Sequence, residues 1–269
     1  MIAPFYQALL HNFVAILLAM LVLWRIAVAI KDVSFIDAVW AYGMVFLVAL
    51  TAFLLLGQPK GPLGWALFGL TTLWGLRLGT HLLIRWQRLG RDPRYDKILS
   101  SVMAKKQWSF SKAALLQVFL LQGPLVWLVS LPAQAGLLTD PGTGLTPLAW
   151  AGIALALFGI AFETIGDAQL EAFRKDESRR GQVLDTGLWR YTRHPNYFGD
   201  AATWWGIWAV AVAAGAPLWV TLGPIFLTYT LTKWSGAPML EKSLKKSRPG
   251  YVEYVERTSG FFPLPPKKR

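Results

Sequence analysis

"LLAMLVLWRIAVAI", residues 17–30, carries a single charged side chain and belongs to an apolar run over 12–30. A helix needs about 20 apolar residues to cross the hydrocarbon core of a bilayer. No basic segment precedes this run and no clear small-residue cleavage site follows it, so it reads as a retained spanning helix rather than a leader. Six further runs lie at 35–56, 62–84, 112–132, 147–166, 199–216 and 217–235, the last two joined tightly at "AGAPLW". The 269 residues are 54% hydrophobic and 16% charged, include 14 Trp, and have a mean hydropathy of +0.40. Together these features predict an all-α, polytopic membrane protein with about seven transmembrane helices.

Charge placement orients those helices. Of 27 basic residues, eight lie in 85–112, six in 167–198 and nine in 233–269, whereas "AQAGLLTDPGTGLT" (133–146) has none. Basic loops stay on the cytoplasmic side. The N-terminus is therefore expected outside and the C-terminus in the cytoplasm, with 133–146 as an outward loop. The net charge of +12 is accounted for by this pattern, so no nucleic-acid partner is expected. Cysteine is absent, which excludes disulfides, thiol catalysis and thiolate metal sites. His11, His81 and His194 are too scattered for a His-rich centre, and no metal is expected.

The chain is expected to form a single membrane domain, 1–269, with two functional parts. Residues 1–132 supply an apolar chamber with few polar positions, among them Asp37, Arg77, His81, Gln117 and Gln122. Residues 147–269 carry the polar, charge-rich part. Asp37 lies in the first turn of the second helix, where Ser34 is a good N-cap and an acid suits the helix dipole. Arg77 and His81 share a face at i, i+4. Burying Arg77 unpaired is costly, so a pairing with Asp37 is expected, either as a structural ion pair or as a cluster that orients a substrate carbonyl.

"RLGRDPRYDK" (88–97) places arginines in a loop broken by Gly and Pro. They suit either lipid headgroups or the phosphate oxygens of a nucleotide. In "FETIGDAQLEAFRK", Glu163, Asp167 and Glu171 repeat at i, i+4, so like charges share one face, and Arg174 returns to it two turns on. That face is either a solvated helix end or a reader of ribose and adenine groups. "RYTRHPNYFGD" (190–200) gathers Arg193, His194, Asn196, Tyr197 and Asp200 at the lip of an apolar run. Pro195 suits a first helical turn, whose free N–H groups favour an anion. Headgroups explain the arginines; they do not explain the asparagine, tyrosine and aspartate.

"GLWRYTRHPNYFGDAATWWG" (187–206) resembles the signature of the steroid 5-alpha-reductase-like family of bacterial integral membrane proteins. "SFIDAVWA", "LWGLRLGTHLLIRW", "GRDPRY" and "PMLEKSLKKSRPGYVEYVERTSGFFPLPP" agree with it, extending the resemblance from about Ser34 to Pro266. It implies a seven-helix oxidoreductase of the bacterial cytoplasmic membrane. The first four helices would enclose a lipophilic substrate, and the last three with their loops would bind NADPH. The cofactor contacts it implies are Arg91, Arg94 and Tyr95 in the third loop, Glu163, Asp167 and Arg174 after the fifth helix, and Arg193, His194, Asn196, Tyr197 and Asp200 in the signature. Glu163 stands where the steroid enzymes carry asparagine.

The steroid enzymes also place a Gln-Glu pair near the second helix and a tyrosine in the third. Here Asp37 is the nearest acid and Arg77 takes the tyrosine's position. The implied reaction is reduction of a conjugated C=C in a lipophilic enone, steroid-like or isoprenoid-like, with Asp37, Arg77 and His81 as catalytic candidates. Two other readings fit the same residues. One is an S-adenosylmethionine-dependent isoprenylcysteine- or phospholipid-type methyltransferase, whose group shares an Arg-His-Pro-x-Tyr block and adds a Glu-Glu pair in the tail. The other is a non-catalytic lipid-binding membrane protein. Membrane lipids surround the chain in all three.

Overall fold

The computed structural model describes residues 2–57, 61–142 and 144–267, and they are predominantly helical, with no β-strand among them. The helices are α1 (Ile2–Ile30), α2 (Ile36–Leu54), α3 (Pro62–Leu89), α4 (Pro93–Lys106), α5 (Phe110–Thr139), α6 (Pro147–Lys175), α7 (Pro195–Ala213), α8 (Leu222–Tyr229), α9 (Ala237–Ser247) and α10 (Tyr251–Arg257). Five of these, α1, α2, α3, α5 and α6, are long and apolar enough to cross a membrane. The expected sixth and seventh runs are helical too, but of a different kind. α7 opens with the polar residues of the signature, and 217–235 is a composite of a 3-10 turn (Leu218–Thr221), α8 and a π turn (Thr230–Trp234).

The expected outward loop begins later than its composition indicates. α5 continues through Pro124 and Pro132 to Thr139, with 129–137 buried. Proline removes one backbone donor, and neighbouring groups inside a helix bundle can accommodate that loss. The broken loop at 88–97 is partly helix as well. Gly90 (φ 70°) ends α3, and Asp92 then caps α4, accepting from the N–H of Arg94 with Pro93 at the first position. This is the favoured order for a helix start.

The chain divides into two compact units, Met1–Ala149 with Val210–Gly223, and Trp150–Ala209 with Pro224–Arg269. In the first, α2 and α3 meet through small residues. A Cβ on Gly75 would lie 2.9 Å from the carbonyl oxygen of Ala41, and one on Gly79 would press on the Tyr42 ring. Close approach of this kind drives helix pairing where lipid offers no hydrophobic incentive. A buried polar knot joins three helices of the same unit. Asn12 of α1 donates to Thr51 of α2 (2.6 Å) and to Gln134 of α5 (2.8 Å), and Gln134 donates on to Ser130 (2.7 Å).

In the second unit α6 and α7 pack backbone to backbone. Cβ atoms on Gly159, Gly199 and Gly206 would lie 2.5, 2.6 and 2.4 Å from the backbone nitrogens of Thr203, Glu163 and Ala156. Gly166 continues the row, with Pro195 and the N–H of Asn196 against it. The acids of α6 are therefore carried to the first turn of α7.

Candidate functional site

Both units carry a dense polar cluster. The first unit's begins at the short link between α1 and α2. Asp32 accepts from the N–H (2.8 Å) and hydroxyl (2.6 Å) of Ser34 through one oxygen, and from the Trp86 indole through the other (2.9 Å). The Ser34 hydroxyl in turn accepts the N–H of Asp92 (2.8 Å). Ser34 therefore bridges two acids, and the expected Ser34 cap on α2 does not form; Phe35 stands at that cap without a side-chain bond.

Arg94 forks onto Asp92 through Nε and Nη2 and reaches Asp37 with Nη2 (2.7 Å). The Tyr95 hydroxyl donates to the other Asp37 oxygen (2.6 Å). Asp37 is thus held by Arg94 and Tyr95, because the start of α4 folds back onto the head of α2. Gln122 bonds both Tyr95 and the Trp40 indole, which extends the network to α5. A small cleft of about 110 Å³ opens beside it, lined by Asp37, Arg85, Trp86, Arg91 and Asp92 among others.

The electrostatics follow from this geometry. Burial alone raises the Asp92 carboxyl, but the hydrogen bonds and charge of Arg94 reverse that and hold it below its ordinary value. Asp32 is lowered in the same way, with Ser34 and Trp86 outweighing burial. Tyr95 is pushed well above the usual tyrosine range by burial and by the adjacent Asp37, so it keeps its proton as a hydrogen-bond donor.

Arg77 and His81 lie on α3 beyond this cluster. Leu70, Trp74, Arg77 and His81 follow at spacings of four, three and four. The stripe is apolar and buried at Leu70 and Trp74 and turns polar at Arg77 and His81, both half-buried.

The second unit's cluster centres on the residues before α7. His194 is 2% exposed and stacks on Tyr197, with ring centroids 5.1 Å apart. Its Nε2 lies 2.9 Å from Oε1 of Glu241, an oxygen that also accepts Nε of Arg193 at 2.8 Å. Arg193 further donates through Nη1 to the carbonyls of Val255 (3.1 Å) and Thr258. Burial raises the Glu241 carboxyl on its own, but bonds from His194 and Arg193 carry it down to about 2. More bonds tie the tail to the same loop: Arg193 N–H to Ser259, Thr192 hydroxyl to Phe261, Leu264 N–H to Tyr191, and Tyr254 hydroxyl to Trp189. Arg193 and His194, expected at a ligand, are brought together here on Glu241 and the C-terminal segment.

On α6, Glu163 is 2% and Asp167 8% exposed, so the acid face is buried at these two positions. Glu171 pairs with Lys175 at 3.0 Å. Arg174 and Arg91 are exposed on their respective units. The Asn196 amide oxygen accepts the N–H of Tyr197 (3.1 Å), and Asp200 follows one turn into α7, half-buried. Asp32, Asp92 and Glu241 were not among the expected site residues. Asp92 had a readable signal, an acid directly before a Pro at a helix start. Glu241 had a weaker one, a lone acid in "LEKSLKK". No group of three or more His, Cys, Asp or Glu among the described residues could hold a metal ion.

The chain belongs to the family described as "Protein of unknown function (DUF1295)", whose model matches residues 23–258. It is similar to an uncharacterized protein of Schizosaccharomyces pombe (strain 972), with 23% identity over 275 residues, 90% of this chain and 76% of that protein. No solved structure matches it.

Proposed function

We propose that this protein is an NADPH-dependent membrane oxidoreductase that reduces the conjugated C=C of a lipophilic enone, as its resemblance to the steroid 5-alpha-reductase-like family implies. The observation that carries the reading is on α6 and α7. Two buried carboxylates, Glu163 and Asp167, flank Gly166, and Gly166 lies against Pro195 and the N–H of Asn196. Acids beside a helix N-terminus and an amide fit the hydroxyls, phosphates and adenine edge of a dinucleotide. NADPH, when bound, supplies a hydride. Asp167, Asn196 and Arg174 would hold its polar parts in the second unit. Tyr95, kept protonated and bonded to Asp37, gives the first unit a donor at the head of the apolar chamber, and Arg77 and His81 offer polar groups to a developing negative charge.

The accompanying topology has seven spans, α7 being the sixth and the Leu218–Trp234 segment the seventh. The N-terminus faces outward and the C-terminus faces the cytoplasm of a bacterial cell.

The Arg-His-Pro-x-Tyr block at Arg193–Tyr197 carries a second reading, an S-adenosylmethionine-dependent methyltransferase, although Glu241 is followed by Lys242 where that group has a Glu-Glu pair. Equilibrium binding of NADPH, NADH and S-adenosylmethionine to the detergent-purified protein separates the two. NADPH binding that is lost in Asn196→Ala and kept in Asp37→Ala is the expected result. Binding of the methyl donor alone would overturn the reductase, and binding of none of the three would point to a lipid-binding protein without catalysis.

A further inference from the structure

α9 is 11 residues long and contains no buried residue. Helices of this length are marginal in water unless an apolar face is packed, so α9 needs support that the packing of this chain does not provide. One polar anchor is present, Glu241 on Arg193 and His194. The rest of the surface is divided. At 100° per residue, Leu240 and Leu244 share one side, while Lys242, Lys245 and Lys246 share the other, with Met239 beside Lys246. Met239 is 44% and Leu240 37% exposed. Just before the helix stand the exposed Trp234 and Lys233. Aromatic and basic residues in this order are those that settle at the boundary between headgroups and acyl chains.

We propose that α9 lies along the surface of a bilayer containing anionic phospholipid, with its lysines on headgroup phosphates and Trp234 and Leu240 in the interface, and that this seat holds Glu241 on Arg193 and His194. Three lysines against one glutamate give the helix the charge that such a surface attracts. The five apolar helices long enough to span already put the chain in a bilayer, so the occupant needs no separate recruitment. The inference is independent of the reaction proposed above and does not require a cofactor.

The test is hydrogen–deuterium exchange of the full chain in nanodiscs of phosphatidylcholine alone or mixed with phosphatidylglycerol. In the anionic discs the amides of 237–247 are expected to exchange roughly tenfold slower or more, since each surface lysine contributes on the order of 1 kcal/mol. The protection should vanish in K242S/K245S/K246S and weaken in Leu240→Ser, and amides of 190–194 should follow the same trend. The lysines are exposed, so the triple variant is expected to unfold at the wild-type midpoint in detergent. Equal exchange of 237–247 in the two lipids would overturn the proposal. So would protection by added polyglutamate in detergent without any from phosphatidylglycerol, which would assign the face to an acidic protein.

Discussion

Glu241 and Arg193 are 48 positions apart in the chain, yet Arg193 Nε donates to Glu241 Oε1 at 2.8 Å, and their side chains are 15% and 13% exposed respectively. With two tail carbonyls on the same guanidinium, this contact closes the C-terminal segment onto the loop before α7. Removing one partner of such a pair leaves the other charge desolvated, and that penalty exceeds the value of the contact itself. Glu241→Gln keeps the shape and removes the charge. It should lower stability by about 3 kcal/mol, measured as the unfolding midpoint in detergent. Lys242→Gln, next door and exposed, should stay within about 0.5 kcal/mol of wild type in the same detergent. Equal effects of the two variants would show that the clamp contributes nothing.

Acid should release the same clamp. The Glu241 carboxyl is held at about 2 against an ordinary 4.5, so the folded state binds this proton more weakly than the unfolded state. Its contribution is then fully present above about 4.5 and is lost as pH falls from there towards 2. Asp92, also lowered, acts in the same direction in the first unit. Stability in detergent should be level with respect to Glu241 above about pH 5 and decline below it. In Glu241→Gln that decline should be shallower. A wild-type curve that stays flat through this window, or an unchanged slope in the variant, would disprove the assignment.

Much of the fold was legible because a bilayer imposes simple rules. Runs of apolar residues gave α1, α2, α3, α5 and α6, and Pro195 marked the start of α7. The ends were less legible. Pro132 and Gly136 have the composition of a loop, yet neighbouring helices bury them inside α5. The burial of Glu163 and Asp167 on α6 depends on which way that face turns, which periodicity alone cannot distinguish from a solvated end. The site was legible as residue types and not as pairings. Asp37 lies near Arg94 only because Gly90 turns the chain back and Asp92 caps α4. Likewise, "RYTRHPNYF" contains no sign that Arg193 is engaged by residues near position 255.

The α6–α7 contact makes a separate prediction with its own control. A Cβ on Gly199 would lie 2.6 Å from the backbone nitrogen of Glu163 and 2.7 Å from the carbonyl oxygen of Gly159. Neither is a side-chain end that can swing aside, so Gly199→Ala must push the helices apart. Overpacking of this kind costs roughly 1–3 kcal/mol, and here it also displaces Glu163 relative to the first turn of α7. Gly69, in α3, has no atom within 4 Å of its added Cβ, and alanine there relieves a backbone-entropy cost of about 0.5–1 kcal/mol. Gly199→Ala should therefore lower the unfolding midpoint and, under the proposed function, weaken NADPH binding, while Gly69→Ala should hold or raise the midpoint and leave any such binding unchanged. If Gly199→Ala were as stable as wild type, the two helices would not touch backbone to backbone, and the burial of Glu163 would need another explanation.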